Sequence, residues 1–378
     1  MTHPLYQKIN HALQMQQSQG LLRQRDVCHR AENSSLIDFS HNDYLGLANS
    51  IELTQALFDG ATTYGVGSKA SPLVSGYSAA HVDLEQQLCR LTGHQAAMLF
   101  CSGYSANSAL MSTLFTQADT VIADKLVHAS IIDGIQHSGA KLVRFLHNDL
   151  SSAERLLAKH PNSVLVTESV FSMDGDKAPL AELSLLCKQH NALMIVDDAH
   201  GFATSRDFEA TSRVADVQVV TFGKALGCQG AAVLAKQSVI NYLVANARHY
   251  IYSTALSPAN AYVAHSAIKL VQQQPERITR LHDNIHLFKE LAQQSQLPLI
   301  ASLSAIQPVI VGGNEQTLSL ANMLAKLGFK VGAIRSPTVP KGSERLRITL
   351  SASHQPQQIH QLVSALKKLM IDCSGEKV

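Results

Sequence analysis

Seven short apolar runs in the middle of the chain constrain its fold more than any other feature. They lie at Ala96–Cys101, Thr120–Ala123, Lys141–Leu146, Val164–Thr167, Leu193–Val196, Val217–Thr221 and Ala231–Leu234. Between most of them apolar residues recur at helical spacing, as at Leu180, Leu183, Leu186 and Cys187. Strands alternating with helices predict an α/β fold built on a mostly parallel sheet covered on both faces. Several runs are apolar at consecutive positions, as burial between two helical layers requires.

Ligands of such sheets bind beyond the carboxyl ends of the strands. The polar residues obey that rule: Ser102-Gly103 follows one run, Glu168 another, Asp197 a third, and Lys224 stands just past a fourth. Four distant segments thereby deliver chemistry to one sheet edge. A lysine amine that condenses with an aldehyde, plus an acid that keeps a pyridine nitrogen protonated, is the protein's minimum contribution to pyridoxal 5'-phosphate (PLP) chemistry. Lys224, in Thr221-Phe222-Gly223-Lys224-Ala225-Leu226-Gly227, sits among small and apolar residues. Partial burial there lowers its pKa and raises the share of free amine. Asp197 is the candidate acid, and the Asp198-Ala199-His200 that follows brings an imidazole within reach of the ring hydroxyl.

The remaining candidates are weaker taken singly. Ser102-Gly103-Tyr104, between a strand and a helix-like stretch, offers backbone N–H groups to a phosphate, with Thr221 adding a hydroxyl. The same turn also serves a purely conformational role in many proteins. His128 stacks on a cofactor ring or is structural. Arg347 alternates with apolar neighbours in Arg345–Leu350, so one arginine faces inward, toward either a substrate carboxylate or an internal salt bridge.

Composition excludes several classes. A net charge of +2 over 378 residues, with no Lys/Arg run, leaves no footprint for nucleic acid or a membrane surface. Met1–Asn10 is polar, without a signal-peptide core, and no apolar run is long enough to span a bilayer, so a cytoplasmic protein is expected. The six cysteines (28, 89, 101, 187, 228, 373) are scattered, without C-x-x-C pairs or metal-ligand spacing; no metal site is expected. Gly65-Val66-Gly67-Ser68-Lys69-Ala70 fits the dinucleotide fingerprint, but no buried strand precedes it.

After Pro258 a long helical stretch runs toward Leu291, with a break at Gln272-Gln273-Gln274-Pro275. Strands are expected at 307–311, 330–333 and 345–350, and helices near 315–327 and 357–370. The predicted division is an N-terminal segment 1–45 packing on the small domain or a dimer interface, a large domain 46–275 and a small α+β domain 276–378.

Longer strings carry a family resemblance over nearly the whole chain. They are Asn42-Asp43-Tyr44-Leu45-Gly46-Leu47, Val74-Ser75-Gly76-Tyr77, His147-Asn148-Asp149, Thr167 to Asp176, Asp197 to Gly201, Thr221 to Gly227, Ile251-Tyr252-Ser253-Thr254 and Ile334 to Pro340. The chain resembles the α-oxoamine synthases, PLP-dependent transferases of fold type I. Its Ser172–Leu180 and Ile334–Pro340 strings are most like the branch that joins L-alanine to a pimeloyl thioester, on coenzyme A or acyl carrier protein, in biotin biosynthesis. The resemblance implies a seven-stranded sheet and a homodimer with shared sites. It implies that Lys224 holds PLP, Asp197 pairs with the pyridine nitrogen, His200 and Ser172 approach the ring oxygen, and His128 stacks on the ring. Gly103, Tyr104 and Thr221 would bind the phosphate, with Ser253 and Thr254 reaching from a second subunit. Arg23, Asn42, His128, Thr338 and Arg347 would contact the substrates. A fold-type-I aminotransferase, a synthase with another amino acid and acyl group, and a non-catalytic scaffold of this fold are the alternatives. The sequence departs from the family at Lys69-Ala70, where a glycine pair is usual, and in the shortened loop Phe202–Asp207.

Overall fold

The computed structural model describes residues 3–23, 25, 27 and 36–375, with side chains to residue 371; Cys28 and the side chain of Cys373 fall outside this set. Two residues near the start, Ile37–Asp38 (β1), precede seven strands that form the main sheet: Ala96–Phe100 (β2), Thr120–Asp124 (β3), Lys141–Phe145 (β4), Val164–Glu168 (β5), Leu193–Asp197 (β6), Val217–Thr221 (β7) and Ala231–Ala235 (β8). Their spatial order is β2-β8-β7-β6-β5-β3-β4, with β8 antiparallel to both neighbours and the other pairs parallel. All strands but β8 therefore run the same way, and the six end on one edge.

Burial on both faces explains why these runs became strands. Successive residues feed different cores: Met194 packs with Leu165 and Phe145, while Ile195 packs with Val166 and Val219. Val220 and Leu99 join a third cluster with the helices Ile51–Tyr64 and Pro258–Gln273. Strand pleating sends neighbours to opposite faces, so only a helix-covered sheet buries them all.

The C-terminal part adds Ile306–Ile310 (β9), Phe329–Lys330 (β10), Gly332–Ile334 (β11) and Arg345–Thr349 (β12). β11, β12 and β9 form an antiparallel sheet, backed by the helices Asn314–Lys326 and Pro356–Gly375. The strand expected over 330–333 is thus two pieces with different partners: β10 pairs in parallel with β1, and β11 pairs with β12. The long helical stretch after Pro258 is likewise two helices, Pro258–Gln273 and Glu276–Gln294, separated at Gln274-Pro275. Proline lacks the N–H that would continue the ladder. The apolar cluster that includes Leu234 and Ile268 continues through Phe288 to Leu346 and Leu366, so one core spans this break.

Candidate active site

Three strand ends form the floor. Asp197 closes β6 and stands in register with Glu168 at the end of β5; both are buried. Lys224 lies three residues past β7, in a turn closed by Gly227 N donating to the Lys224 carbonyl at 2.9 Å. Gly227 has φ +63°, and a Cβ there would sit 2.4 Å from the Ala48 backbone nitrogen, so no other residue fits without displacing the lysine turn. Burial lowers the Lys224 pKa to about 8, although Asp197 and Glu168 both pull it upward.

The two acids are treated differently by their surroundings. Asp197 accepts from Asn107 Nδ2 at 2.7 Å and from the Ala199 backbone N–H at 3.0 Å. Glu168 leaves Oε1 without a partner among the described residues. Desolvation, followed by repulsion from Asp197, holds Glu168 well above the usual carboxylate range. Like charges side by side oppose one another, and of the two acids Asp197 is the one with both carboxylate oxygens hydrogen-bonded among the described residues.

Asn107 extends the arrangement. Its Nδ2 also donates to Ser130 Oγ at 3.1 Å, and Ser130 contacts His128 Nδ1 at 2.7 Å. His128 caps the helix Ala129–Ser138, and its ring meets Tyr104 edge-on at 6.3 Å. Desolvation lowers its pKa, so the ring is neutral near pH 7. His200 is also buried, and its Nδ1 is hydrogen-bonded to the Tyr44 hydroxyl at 2.5 Å. Desolvation, then the Lys224 and Arg347 charges, hold His200 well below its ordinary value, while burial raises Tyr44 to about 12. The loop turn after His200 is tight: a Cβ on Gly201 would stand 2.3 Å from Asp198 Oδ1.

The turn at Gly103 has the geometry of an anion cradle. Ser102 caps the helix Gly103–Leu114, and an ideal Cβ on Gly103 would lie 3.8 Å from Thr221, so the two elements face each other across open backbone. Thr221 Oγ1 also reaches the Gly230 carbonyl at 3.2 Å. Tyr104 is exposed and its hydroxyl bonds Asp133. Ser253 sits near His249 Nδ1 at 3.4 Å, and the Thr254 carbonyl accepts from the Cys101 thiol at 3.7 Å. Within one chain, Thr254 therefore lies beside Cys101.

Both Arg345 and Arg347 face inward, where the sequence had suggested one. They are two apart on a strand and share a face; Arg345 pairs with Asp174. Arg347 donates to the Ser172 carbonyl at 2.7 Å, to Thr349 Oγ1 at 3.0 Å and to Asn42 Oδ1 at 3.1 Å. Arg23 and Thr338 are exposed at the rim. They belong to linked segments: the Arg335 guanidinium bonds the Gly20 carbonyl, and Thr338 N donates to the Arg335 carbonyl at 2.9 Å.

The sequence placed Glu168 at the functional edge but gave it no role, and it gave none to Asn107, Ser130 or Tyr44. Asn107 and Ser130 carry no local signal, because their role comes from two helices meeting.

Lys224 with a lowered pKa, a hydrogen-bonded buried carboxylate and a helix N-terminus facing Thr221 suit the aldehyde, ring nitrogen and phosphate of PLP. A family model, "Aminotransferase class I and II", matches residues 34–366. The 8-amino-7-oxononanoate synthase of Photobacterium profundum is 44% identical over 97% of this chain and 97% of its own. Among solved structures, the 8-amino-7-oxononanoate synthase of Francisella tularensis superposes with a TM-score of 0.79 at 31% identity, covering 91% of this chain and 99% of that one. Serine palmitoyltransferase structures that carry PLP, one from S. paucimobilis, superpose with a TM-score of 0.90 at 26% identity, covering 99% of this chain and 100% of theirs. With strand ends, helix caps and a full-length relative in agreement, the chain belongs to the class I and II aminotransferase family of PLP-dependent enzymes and, within it, to the 8-amino-7-oxononanoate synthases.

Proposed function

We infer that this chain condenses L-alanine with a pimeloyl thioester, releasing CO2, the free thiol carrier and 8-amino-7-oxononanoate. The observation that supports it most is the single floor holding one lysine and one fully hydrogen-bonded carboxylate, with an inward arginine above them. The alanine Cα–H bond breaks, Cα bonds to the acyl carbon, and the thioester C–S bond breaks. The bond from Cα to the carboxylate then breaks as CO2 leaves, and a proton returns to Cα.

PLP, when bound, withdraws the electron pair that each of these steps leaves on Cα. Lys224 takes the alanine α-proton as general base; its lowered pKa suits that task near neutral pH. Asp197, its carboxylate fixed by Asn107 and the Ala199 N–H, would keep the pyridine nitrogen protonated. His128, His200 and Ser172 would hold the cofactor ring, and Gly103, Tyr104 and Thr221 would hold its phosphate. Arg347, with Asn42 beside it, receives the amino-acid carboxylate through its planar fork. Arg23 and Thr338 meet the acyl thioester at the rim.

A homodimer completes this reading, with Ser253 and Thr254 serving the partner's phosphate. In support, Val66, Val74, Tyr104 and Tyr252 are between 50% and 83% exposed around that segment. Ser257 Oγ ties the segment to the Val66 carbonyl at 2.8 Å. The helix break at Pro275 supports a boundary between residues 46–275 and 276–378, with residues 1–45 joined to the latter through β1 and β10. No helix among the described residues is long and apolar enough to cross a membrane.

The test is a matrix of amino acids against acyl thioesters, following CO2 and thiol release together. Alanine with a pimeloyl donor should give the highest kcat/KM. Glycine or serine outperforming alanine with every donor would refute the assignment.

A further inference from the structure

His147 lies outside the residues assigned above, at the end of β4, yet it joins two loops that serve the site. Its Nδ1 is 2.9 Å from Asp124 Oδ1 and its Nε2 is 2.7 Å from Asp176 Oδ2. A carboxylate only accepts, so both ring nitrogens carry protons and the ring is a cation. Asn148, at φ +53°, doubles the link: its backbone N–H donates to Asp124 Oδ2 at 2.9 Å and its side-chain amide to Asp176 Oδ2 at 2.6 Å. The ring edge also meets Phe171 at 4.4 Å.

Each acid belongs to a different working loop. Asp124, fully buried at the end of β3, accepts from Leu126 N at 2.8 Å and so shapes the turn that ends at His128. Asp176 closes the loop after β5, where its carbonyl accepts from Phe171 N at 3.0 Å and Phe171 O accepts from Gly175 N at 2.8 Å. That loop presents the Ser172 carbonyl to Arg347 and the Asp174 carboxylate to Arg345. Asp174, Asp176 and His147 place their polar atoms within 4.8 Å of one another. Burial alone would lower the His147 pKa, but hydrogen bonds and charge from Asp124 and Asp176 raise it to about 9, which agrees with a cation.

We propose that His147 is a positioning residue for amino-acid recognition: its ring ties Asp124 to Asp176, holding the 171–176 loop so that the Ser172 carbonyl aims the Arg347 guanidinium at the substrate carboxylate. This rests on the assignment of Arg347 given above. The tie reaches the substrate only through the 171–176 loop and Arg347, so it acts on alanine binding and leaves the thioester alone.

The test uses the holoenzyme and four variants: His147→Gln, Asp176→Asn, Arg347→Lys and the double His147→Gln/Arg347→Lys. Alanine affinity is read in the absence of thioester from the cofactor absorbance, and KM and kcat are measured for both substrates. Asp176→Asn leaves the buried Asp124–His147 pair in place, so it carries the test if His147→Gln does not fold. Alanine binding should weaken about tenfold in His147→Gln and in Asp176→Asn, with kcat falling less and the thioester KM unchanged. The double variant should be no worse than Arg347→Lys, because both changes act through one guanidinium. Unchanged alanine affinity in folded Asp176→Asn, an equal rise in both KM values, or losses that multiply in the double variant would overturn the proposal. If Arg347→Lys itself leaves alanine binding unmoved, the Arg347 assignment falls and the proposal with it. If Arg347→Lys weakens alanine while the other two single variants do not, only the proposal falls.

Discussion

The floor and the rim of the site are built on opposite principles. Glu168, Asp197 and Lys224 stand at or just beyond strand ends, with both acids buried and their charges coupled. Arg23, Tyr104, Thr254 and Thr338 are exposed, on a helix start or in loops. The floor is preorganised before any substrate arrives, because low dielectric and fixed partners set each proton in place. The rim residues lie open to solvent. On the proposed reading, chemistry belongs to the floor and selectivity among acyl donors to the rim.

That contrast orders the expected effects of mutation. Lys224→Ala should lower kcat by about 1,000-fold or more, since it removes the general base itself. Asp197→Asn should cost on the order of 100-fold, the worth of roughly 3 kcal/mol for a charged hydrogen bond. Glu168→Gln sharpens the comparison within the floor. If Asp197 carries the charge and Glu168 the proton, glutamine mimics the native group and kcat falls by no more than about fivefold. Equal losses in the two variants would show that the charge is shared. At the rim, Thr338→Ala should raise the thioester KM by about fivefold or less and leave kcat intact, as loss of one solvent-exposed hydrogen bond implies.

The smallest effect is on stability. His147 is raised to about 9 from an ordinary value of 6.5, so its contribution is complete below pH 6.5, declines above it and is gone once pH passes 9. Asp124 and Asp176 face the ring directly, and Asp174, paired with Arg345, stands beside them. Between pH 7 and 9.5 the wild-type Tm should fall about 2–4 °C further than that of His147→Gln. Parallel curves for the two proteins would show that His147 is neutral in the fold.

The floor was legible in the sequence and much of its support was not. Doubly buried strands leave consecutive apolar residues, and a polar residue closing such a run marks the functional edge; Asp197 and Glu168 both announce themselves this way. Asn107 looks like any polar residue in the first turns of a helix. It matters because that helix runs past Asp197 and Ser130, an apposition that no local pattern encodes. Arg345 was obscured for another reason. Alternation places it on the same face as Arg347, but only tertiary contact reveals Asp174 as the acid that permits a second buried cation. The strand expected over 330–333 split because two edges compete for it, one offered by Ile37–Asp38 and one by β12.

The guanidinium of Arg347 already satisfies a carbonyl, a hydroxyl and an amide oxygen. A guanidinium carries five N–H donors, so two remain for a newcomer beside these three. On the proposed reading, an arriving carboxylate takes those two while the three anchors keep the fork aimed. Losing an anchor would leave the positive charge in place but blur its direction, so discrimination among anions would fade before attraction does.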